Sequence, residues 1–484
     1  MGGGTSVLPR RTLSAVERER GDNMSGIGGS RTPRWRAAFV GVVIAALVLG
    51  TSATAASGAS SQLKDLGHGV TKDSVKVGIA IIDYDAIADF VDFERGDQQK
   101  TAQIFVDYVN KNGGIDGRKI VPYFKKYQPI PGRTPDPLAL CTSWTEDDGV
   151  FAVLGVFIDF TGQGQLCVAK EHNTVHIGHE LEQAWIDQSP PGLLLTPDTT
   201  KEAAASILLN LLTSSGKLKG KKVGLLVDNQ AQGRINKVVK PALQDAGVKT
   251  GSTAVLTITG TDTSAAQAQL DSFIEKWKSE GVNLIYIGGL TASAKQFVEK
   301  IKAAMPKVQL AADSSSVAEQ AQDEVKAGKS PNPYEGLYGV TGETDSERWA
   351  NKGPLLQQCV DIYEKATGTK VPGPDESATS SKGKTIQLDI AVTDFCGELF
   401  MFRDIAKKVG PNLTTQNWQK TVNSFGKINL VPTKIASLCK GKYAADDAFR
   451  LVAFDSTIGT DGDWKPVTPV KDASGGECTK AKAS

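Results

Sequence analysis

The stretch "VNKNGGIDGRKIV", residues 109–121, sets three glycines and the basic pair Arg118-Lys119 between a run with helical spacing and a run that reads as strand. That composition suits either a phosphate cradle or a turn. Order separates them: a dinucleotide or P-loop cradle follows a strand and opens a helix, whereas this stretch follows a helix and opens a strand. Ala102, Phe105, Val106 and Val109 share one helical face just before it. Gly113 then stands where a left-handed C-cap is expected, Gly114 loosens the exit, and Asp116-Gly117 makes a tight turn into "RKIVPYF". The glycines are read as structural punctuation.

Working outward, short β-rich runs alternate with amphipathic helical segments, the pattern of a parallel sheet covered by helices. "VKVGIAII" (75–82), "RKIVPYF", "VFAVLGVFI" and "TVHIG" are the strands of a first series. "KKVGLLVDN", "STAVLTIT", "VNLIYIGG" and "VQLAAD" are those of a second, with helices between them. From about residue 334 a third region adds a strand-like "YEGLYGVTG", two helices, an exposed loop "VPGPDESATSSKGK" between them, and a last strand "AFRLVAFDSTIG".

The N-terminus reads as an export signal. Arg31, Arg34 and Arg36 precede the apolar run "AAFVGVVIAALVLG", and Ala53-Thr54-Ala55 supplies a small-residue cleavage site. The run is shorter than the roughly 20 residues a membrane span needs, so cleavage near Ala55 is favoured over an anchor. Residues 1–55 are therefore expected to be a signal peptide and 56–73 a flexible tether. Met24 gives a more ordinary start than Met1, and Arg10-Arg11 lie too far from the apolar run to act as a twin-arginine signal. In an exported chain of 484 residues, six cysteines point to disulfides. Sequence proximity pairs Cys141 with Cys167, Cys359 with Cys396, and Cys439 with Cys478. A formal net charge of +1 offers no field for nucleic acid or anionic membranes.

Taken in this order, "VKVGIAII", "YVNKNGGIDGRKI", "AVLGV", "KKVGLLVDNQAQG" and "LIYIGGLTASAKQFVEKIKAA" resemble the branched-chain amino-acid type of periplasmic binding protein, the substrate-binding component of ABC transporters. The resemblance implies an α/β type I periplasmic-binding-protein fold. Each of its two lobes would be a parallel-rich sheet flanked by helices, joined to the other by three hinge crossovers. One lobe would take residues 74–196 plus 340–449, the other 197–339 plus 450–484. It also implies a monomer that captures a small polar ligand, such as an amino acid or amide, in the interlobe cleft outside the cytoplasm. The ligand would pass to an ABC permease, with no cofactor and no chemistry. A sensing or orphan binding module of the same fold is the alternative, and a secreted enzyme a more distant one.

In open α/β sheets ligands sit at the carboxyl ends of strands. Those ends nominate Tyr84, Asp85, Asp159, Phe160, Thr161, His179, Glu180, Asn229, Gln230, Gln232, Leu290, Thr291, Asp313 and Ser314. The chain departs from the amino-acid pattern here. The Ser/Thr-rich turn that holds a carboxylate is replaced by Asp159-Phe160-Thr161, the usual aromatics are Gln232 and Leu290, and an acid survives as Asp313. A cationic or neutral polar ligand is thus expected as readily as an α-amino acid, because Asp159 would repel a carboxylate.

Other chemistries lack their motifs. His172, His176 and His179 tempt a zinc reading, but a strand at 175–178 would face them apart, and Gln183 stands where a zincin needs its second histidine. "SSKGKT" imitates the end of a Walker motif, yet Ala378 occupies the place of its first glycine. No G-x-S-x-G elbow occurs. No metal site and no catalytic residue is expected.

Overall fold

Along β1 (Ser74–Ile82), Val75, Val77, Ile79 and Ile81 enter one buried cluster while Ala80 and Ile82 enter another. A strand buried on both faces belongs inside a parallel sheet covered by helices on each side. The computed structural model describes residues 66–472 and Cys478, apart from 89–90, 92, 130–134, 258–263, 290–293 and 377. The expected signal segment and most of the expected tether fall outside the described residues.

In the first lobe, β1 is flanked by β2 (Lys119–Tyr127) and β3 (Ala152–Leu154), and β4 (Val175–Ile177) and β5 (Leu194–Leu195) follow, all parallel. The helices Pro354–Thr367 and Leu388–Val409 supply much of its larger core, among them Cys359, Phe395 and Phe400. The second lobe runs in the order β12 (Asp463–Pro466), β11 (Ala448–Asp455), β10 (Tyr338–Thr341), β9 (Gln309–Ala312), β8 (Leu284–Gly288), β6 (Lys222–Asp228), β7 (Lys249–Leu256). Its strands are parallel from β10 to β7, while β11 pairs antiparallel with β10 and β12 with β11. Apolar clusters cover both faces of this sheet.

The chain crosses between the lobes at 196–200, 342–344 and 445–447. The first and third crossings run side by side. Thr196 N donates to Tyr443 O at 3.0 Å, Ala445 N to Thr196 O at 3.0 Å, and Asp446 N to Asp198 O at 3.4 Å. All three expected disulfides are present: Cys141–Cys167, Cys359–Cys396 and Cys439–Cys478. Among the described residues no helix is long and apolar enough to cross a membrane.

One local expectation is corrected, and the C-terminal segment adds pairing of its own. "VPGPDESATSSKGK" is not a bare loop: Ala378–Thr379 pairs with Thr385–Ile386, which adds to Phe93–Glu94 of the first lobe. Beyond the expected last strand, the polar tail adds β12 and a further short strand, Lys471–Asp472, both on β11. In each case backbone pairing to a strand already in place overrides weak local propensity.

The punctuating stretch behaves as read. Helix α1 (Gln98–Lys111) ends at Asn112, and Gly113, Gly114, Asp116 and Gly117 all have positive φ. Asn110 spans the turn, its side chain bonding both the N–H and the C=O of Ile120. Arg118 is buried and donates to Thr71 O and Pro411 O at 2.8 and 2.6 Å, so its charge pins two remote segments and binds no phosphate. A Cβ on Gly114 would lie 2.0 Å from the Arg118 carbonyl oxygen, whereas one on Gly113 meets nothing within 4 Å. Gly113→Ala is therefore expected to cost about 1 kcal/mol from its positive φ alone, and Gly114→Ala about 3 kcal/mol, compared by urea unfolding. Equal losses would show that the turn relaxes around the added methyl.

Candidate functional site

The carboxyl ends of β1, β3 and β4 are shaped by residues that leave no room for alternatives. Gly155 has φ +86 and approaches β1 so closely that a Cβ would meet Ala80 O at 2.6 Å. Beyond it, the Tyr127 hydroxyl donates to Val156 O and accepts from Ile158 N, both at 2.6 Å, which fixes the 156–158 segment. Burial holds that phenol well above its ordinary range, so it remains a donor. After β4, Glu180 adopts φ +57, a left-handed conformation unusual for a side chain of its length and costing about 1–3 kcal/mol. Lys201 holds its carboxylate at 3.4 Å.

These ends form one wall of a cavity of about 410 Å³ between the lobes. Ile82, Tyr84, Val156, Ile158, Phe160, His179 and Glu180 come from the first lobe's strand ends. Lys295, Gln320 and Asp323 come from the second lobe's helices Ala294–Ala304 and Ser315–Lys326, and Trp349 and Asp389 from the segment after the second crossover. A second cavity of about 470 Å³ adjoins it at the crossovers, where Asp198, Lys201, Arg234, Asp313, Ser314, Thr344 and Asp446 face one another.

Between the two cavities lies a charged knot. His179 Nδ1 is 2.6 Å from Asp198 Oδ2 and its Nε2 is 2.7 Å from Glu398 Oε1, the latter an ionic contact without hydrogen-bond alignment. Glu398 is fully buried and its other oxygen accepts the Gly155 N–H. Burial opposes charge on the imidazole, but the two carboxylates outweigh it and hold its pKa well above 6.5. Across the hinge cavity, the Tyr286 hydroxyl donates to Asp313 at 2.6 Å and Arg234 Nε lies 3.4 Å from the same carboxylate. Burial pushes Asp313 up; Arg234 and the tyrosine oppose it.

Of the residues nominated from strand ends, the structure brings Tyr84, Phe160, His179 and Glu180 to the interlobe cavity and Asp313 and Ser314 to the hinge cavity. Asp85 does not reach either: it is exposed, pairs with Lys382 and faces an open trough on the first lobe. Asp159 is buried the other way, accepting from Thr161 N, Thr161 Oγ1 and Gly164 N, so it caps a turn and lines neither cavity. Thr161 is used in that same turn. Asn229, Gln230 and Gln232 are exposed and line neither cavity. Leu290 and Thr291 lie outside the described residues. The reading missed Asp198, Arg234, Arg348, Asp389 and Glu398. Arg234 was the easiest of these to find, two residues past the nominated Gln232.

The three histidines part company. His176 is buried with Nδ1 3.1 Å from Val153 O, and burial lowers its pKa to about 4; His172 lies 3.5 Å from Glu146. Among the described residues, one group places three possible metal-ligand atoms within 4.8 Å, Cys141, Cys167 and His172, but its sulfurs form a disulfide. The lysines of "SSKGKT" are also in use, Lys382 on Asp85 and Lys384 on the carbonyls of Ala88 and Val91.

The sequence model of one family, described as periplasmic binding protein, matches residues 95–381. No curated protein matches the chain in sequence. Among solved structures, a fatty acid ABC transporter substrate-binding protein from Thermomonospora curvata is 17% identical, covering 86% of this chain and 96% of its own, with a TM-score of 0.59. A solute binding protein from Rhodopseudomonas palustris in complex with 3,4-dihydroxy benzoic acid is 14% identical over 83% and 98%, at 0.57. The branched-chain amino acid transporter substrate binding protein LivJ from Streptococcus pneumoniae, in complex with isoleucine, is 14% identical over 83% and 100%, at 0.54. These likenesses establish a shared fold.

The charged knot generates a prediction. A histidine whose folded pKa is raised contributes stability that is fully present below its unfolded value of about 6.5 and is lost as pH rises through the folded value. Unfolding free energy should therefore decline above neutral pH, with a smaller decline in His179→Gln. That variant should also lose about 3 kcal/mol or more near neutral pH, because buried Glu398 is left without its counter-charge. Parallel pH profiles for the two proteins, from urea titrations, would show that His179 is not charged in the fold.

Proposed function

The chain belongs to the periplasmic binding protein family, and we propose that it captures a small organic solute in its interlobe cleft and delivers it to an ABC permease in the membrane. The observation that carries this reading is the cavity of about 410 Å³ whose walls come from both lobes, next to the three crossovers. A ligand bound there touches both lobes only when they are close, so binding energy favours closure and opening releases the solute. The volume suits a small molecule. Ile82, Val156, Ile158, Phe160 and Trp349 favour one with an apolar body.

We read the chain as a binder, not a catalyst, because its family and the structures it resembles are binding proteins. The lobe division at 74–196 plus 340–449 and 197–339 plus 450–484 is supported by the two sheets, with small shifts. Val340 and Thr341 pair with β11, and Ala448 and Phe449 belong to that strand, so these four residues go with the second lobe. The three disulfides support an oxidising, extracytoplasmic compartment, in keeping with the export signal read at 1–55. Of the nominated residues, Tyr84, Phe160 and Glu180 are the ones proposed to face the solute, with a monomer as the working unit and no nucleic acid involved.

A thermal-shift panel of amino acids, amides, polyamines, amines and aromatic acids tests the reading, since a ligand at about 100 times its dissociation constant adds about 2.7 kcal/mol. At least one compound should raise the melting temperature, and its affinity should fall about tenfold in Tyr84→Ala and stay unchanged in Asn229→Ala. A silent panel, or equal loss in both variants, would remove the cleft from consideration.

A further inference from the structure

Four basic side chains reach the wall of the interlobe cavity: Arg95, His179, Lys295 and Arg348. Each already faces an acid. Arg95 Nη1 lies 2.8 Å from Asp394, Lys295 Nζ 2.7 Å from Glu324, Arg348 pairs with Asp345, and His179 is held by Asp198 and Glu398. A carboxylate entering the cavity must compete with a resident one for any of these cations. Exchange of one ion pair for another gains little once the entering anion has lost its water.

Asp389 presents the opposite situation. It is the second residue of the helix Leu388–Val409, it is 6% exposed, and it lines the cavity. Its Oδ1 is buried and has no hydrogen-bond partner. Burial, and then the charge of Asp345, push its pKa to about 6, against a weaker pull from backbone N–H groups and from Arg348. Near neutral pH the group is thus a desolvated carboxylate with an open acceptor, which a donor from outside the protein would relieve. Tyr84 and Phe93, edge to face at 5.6 Å, line the same cavity together with Trp349, and aromatic faces favour a cation beside them. Open donors do exist nearby, on Arg234 Nη1, but they belong to the hinge cavity, where Asp313, Glu182 and Glu202 offset that charge.

We infer that the cavity takes a ligand carrying a protonated amine on an apolar body, with Asp389 Oδ1 accepting a hydrogen bond from the ammonium. The inference rests on the solute-capture reading and specifies the ligand's charge. It sets the chain apart from structural relatives whose ligands are a fatty acid or 3,4-dihydroxy benzoic acid.

Three probes share one body and differ in charge: 2-phenylethylamine, 2-phenylethanol and phenylacetate. Calorimetric titration of the mature chain should show the amine binding at least about tenfold more tightly than the other two. Asp389→Asn should remove about tenfold or more of the amine's affinity and leave the folded fraction unchanged by circular dichroism. Asp389→Ser provides the same test should the asparagine variant misfold. Phenylacetate or phenylethanol binding as tightly as the amine would overturn the inference while leaving solute capture intact. Amine affinity unchanged in both variants would do the same, as would a hit from the wider panel that carries no amine. Absence of binding by all three probes overturns the amine assignment, and a silent wider panel would then remove the capture reading as well.

Discussion

His179 stands where three parts of the chain that are remote in sequence must meet: the end of β4, the first crossover through Asp198, and the middle of the long helix through Glu398. Glu398 and His179 are the buried members, and neither would be stable there as a lone charge, while Asp198 is partly exposed. A buried carboxylate without a counter-charge costs several kcal/mol, and an imidazolium taken from water costs as much. Together they form a chain that begins at the Gly155 N–H, passes through Glu398 and His179 to Asp198, and continues by that residue's carbonyl to Asp446 of the third crossover. The floor of the cleft is thereby tied to two of the three crossings. Any relative motion of the lobes must preserve this network, because breaking it strands a buried charge.

The same constraint sets the chemistry of the cleft. The positive groups along its walls are engaged in holding the protein together, so their fields are largely cancelled before a solute arrives. An acceptor on Asp389 stays open, in a cavity that Ile390, Trp349 and the Tyr84–Phe93 pair also line. On the proposed reading, selectivity follows from which charges the fold has already matched, more than from how many charges line the cavity. A count of acids and bases in the sequence is silent on this point.

The fold was legible because its signals are local and repeated. "VNKNGGIDGRKIV" carried its own order, helix then glycines then strand, and β1 and β6 announced themselves as unbroken apolar runs. The cavity wall was legible only where strand ends reach it, as at Tyr84, Phe160, His179 and Glu180. Asp159 misled because an acid after a strand reads the same whether it faces a ligand or caps a turn, and here three donors of its own loop claim it. The expectation of a ligand other than a carboxylate rested on that residue, and its support passes instead to Asp389, more than 200 positions away. Asp389 and Glu398 gave no signal because both lie within an amphipathic helix, where an isolated acid reads as a solvated face.

That helix belongs to neither β/α series. It enters the first lobe after the second crossover, is bonded to its neighbour through Cys359–Cys396, and sends Phe400 and Phe402 into the core. Its first turn places Asp389 at the cleft and its third places Glu398 under His179. Nine positions along one rigid element thus set the acceptor proposed to meet the solute apart from the carboxylate held by His179. The strand-and-helix scaffold, including the glycine turn that identifies it, sits apart from both. A chain built this way can change what it binds by changing one helical turn, while the sheet, its punctuation and the charged knot stay as they are. Such an arrangement accounts for a fold shared with relatives at 17% identity or less alongside a cleft whose open group is an acid.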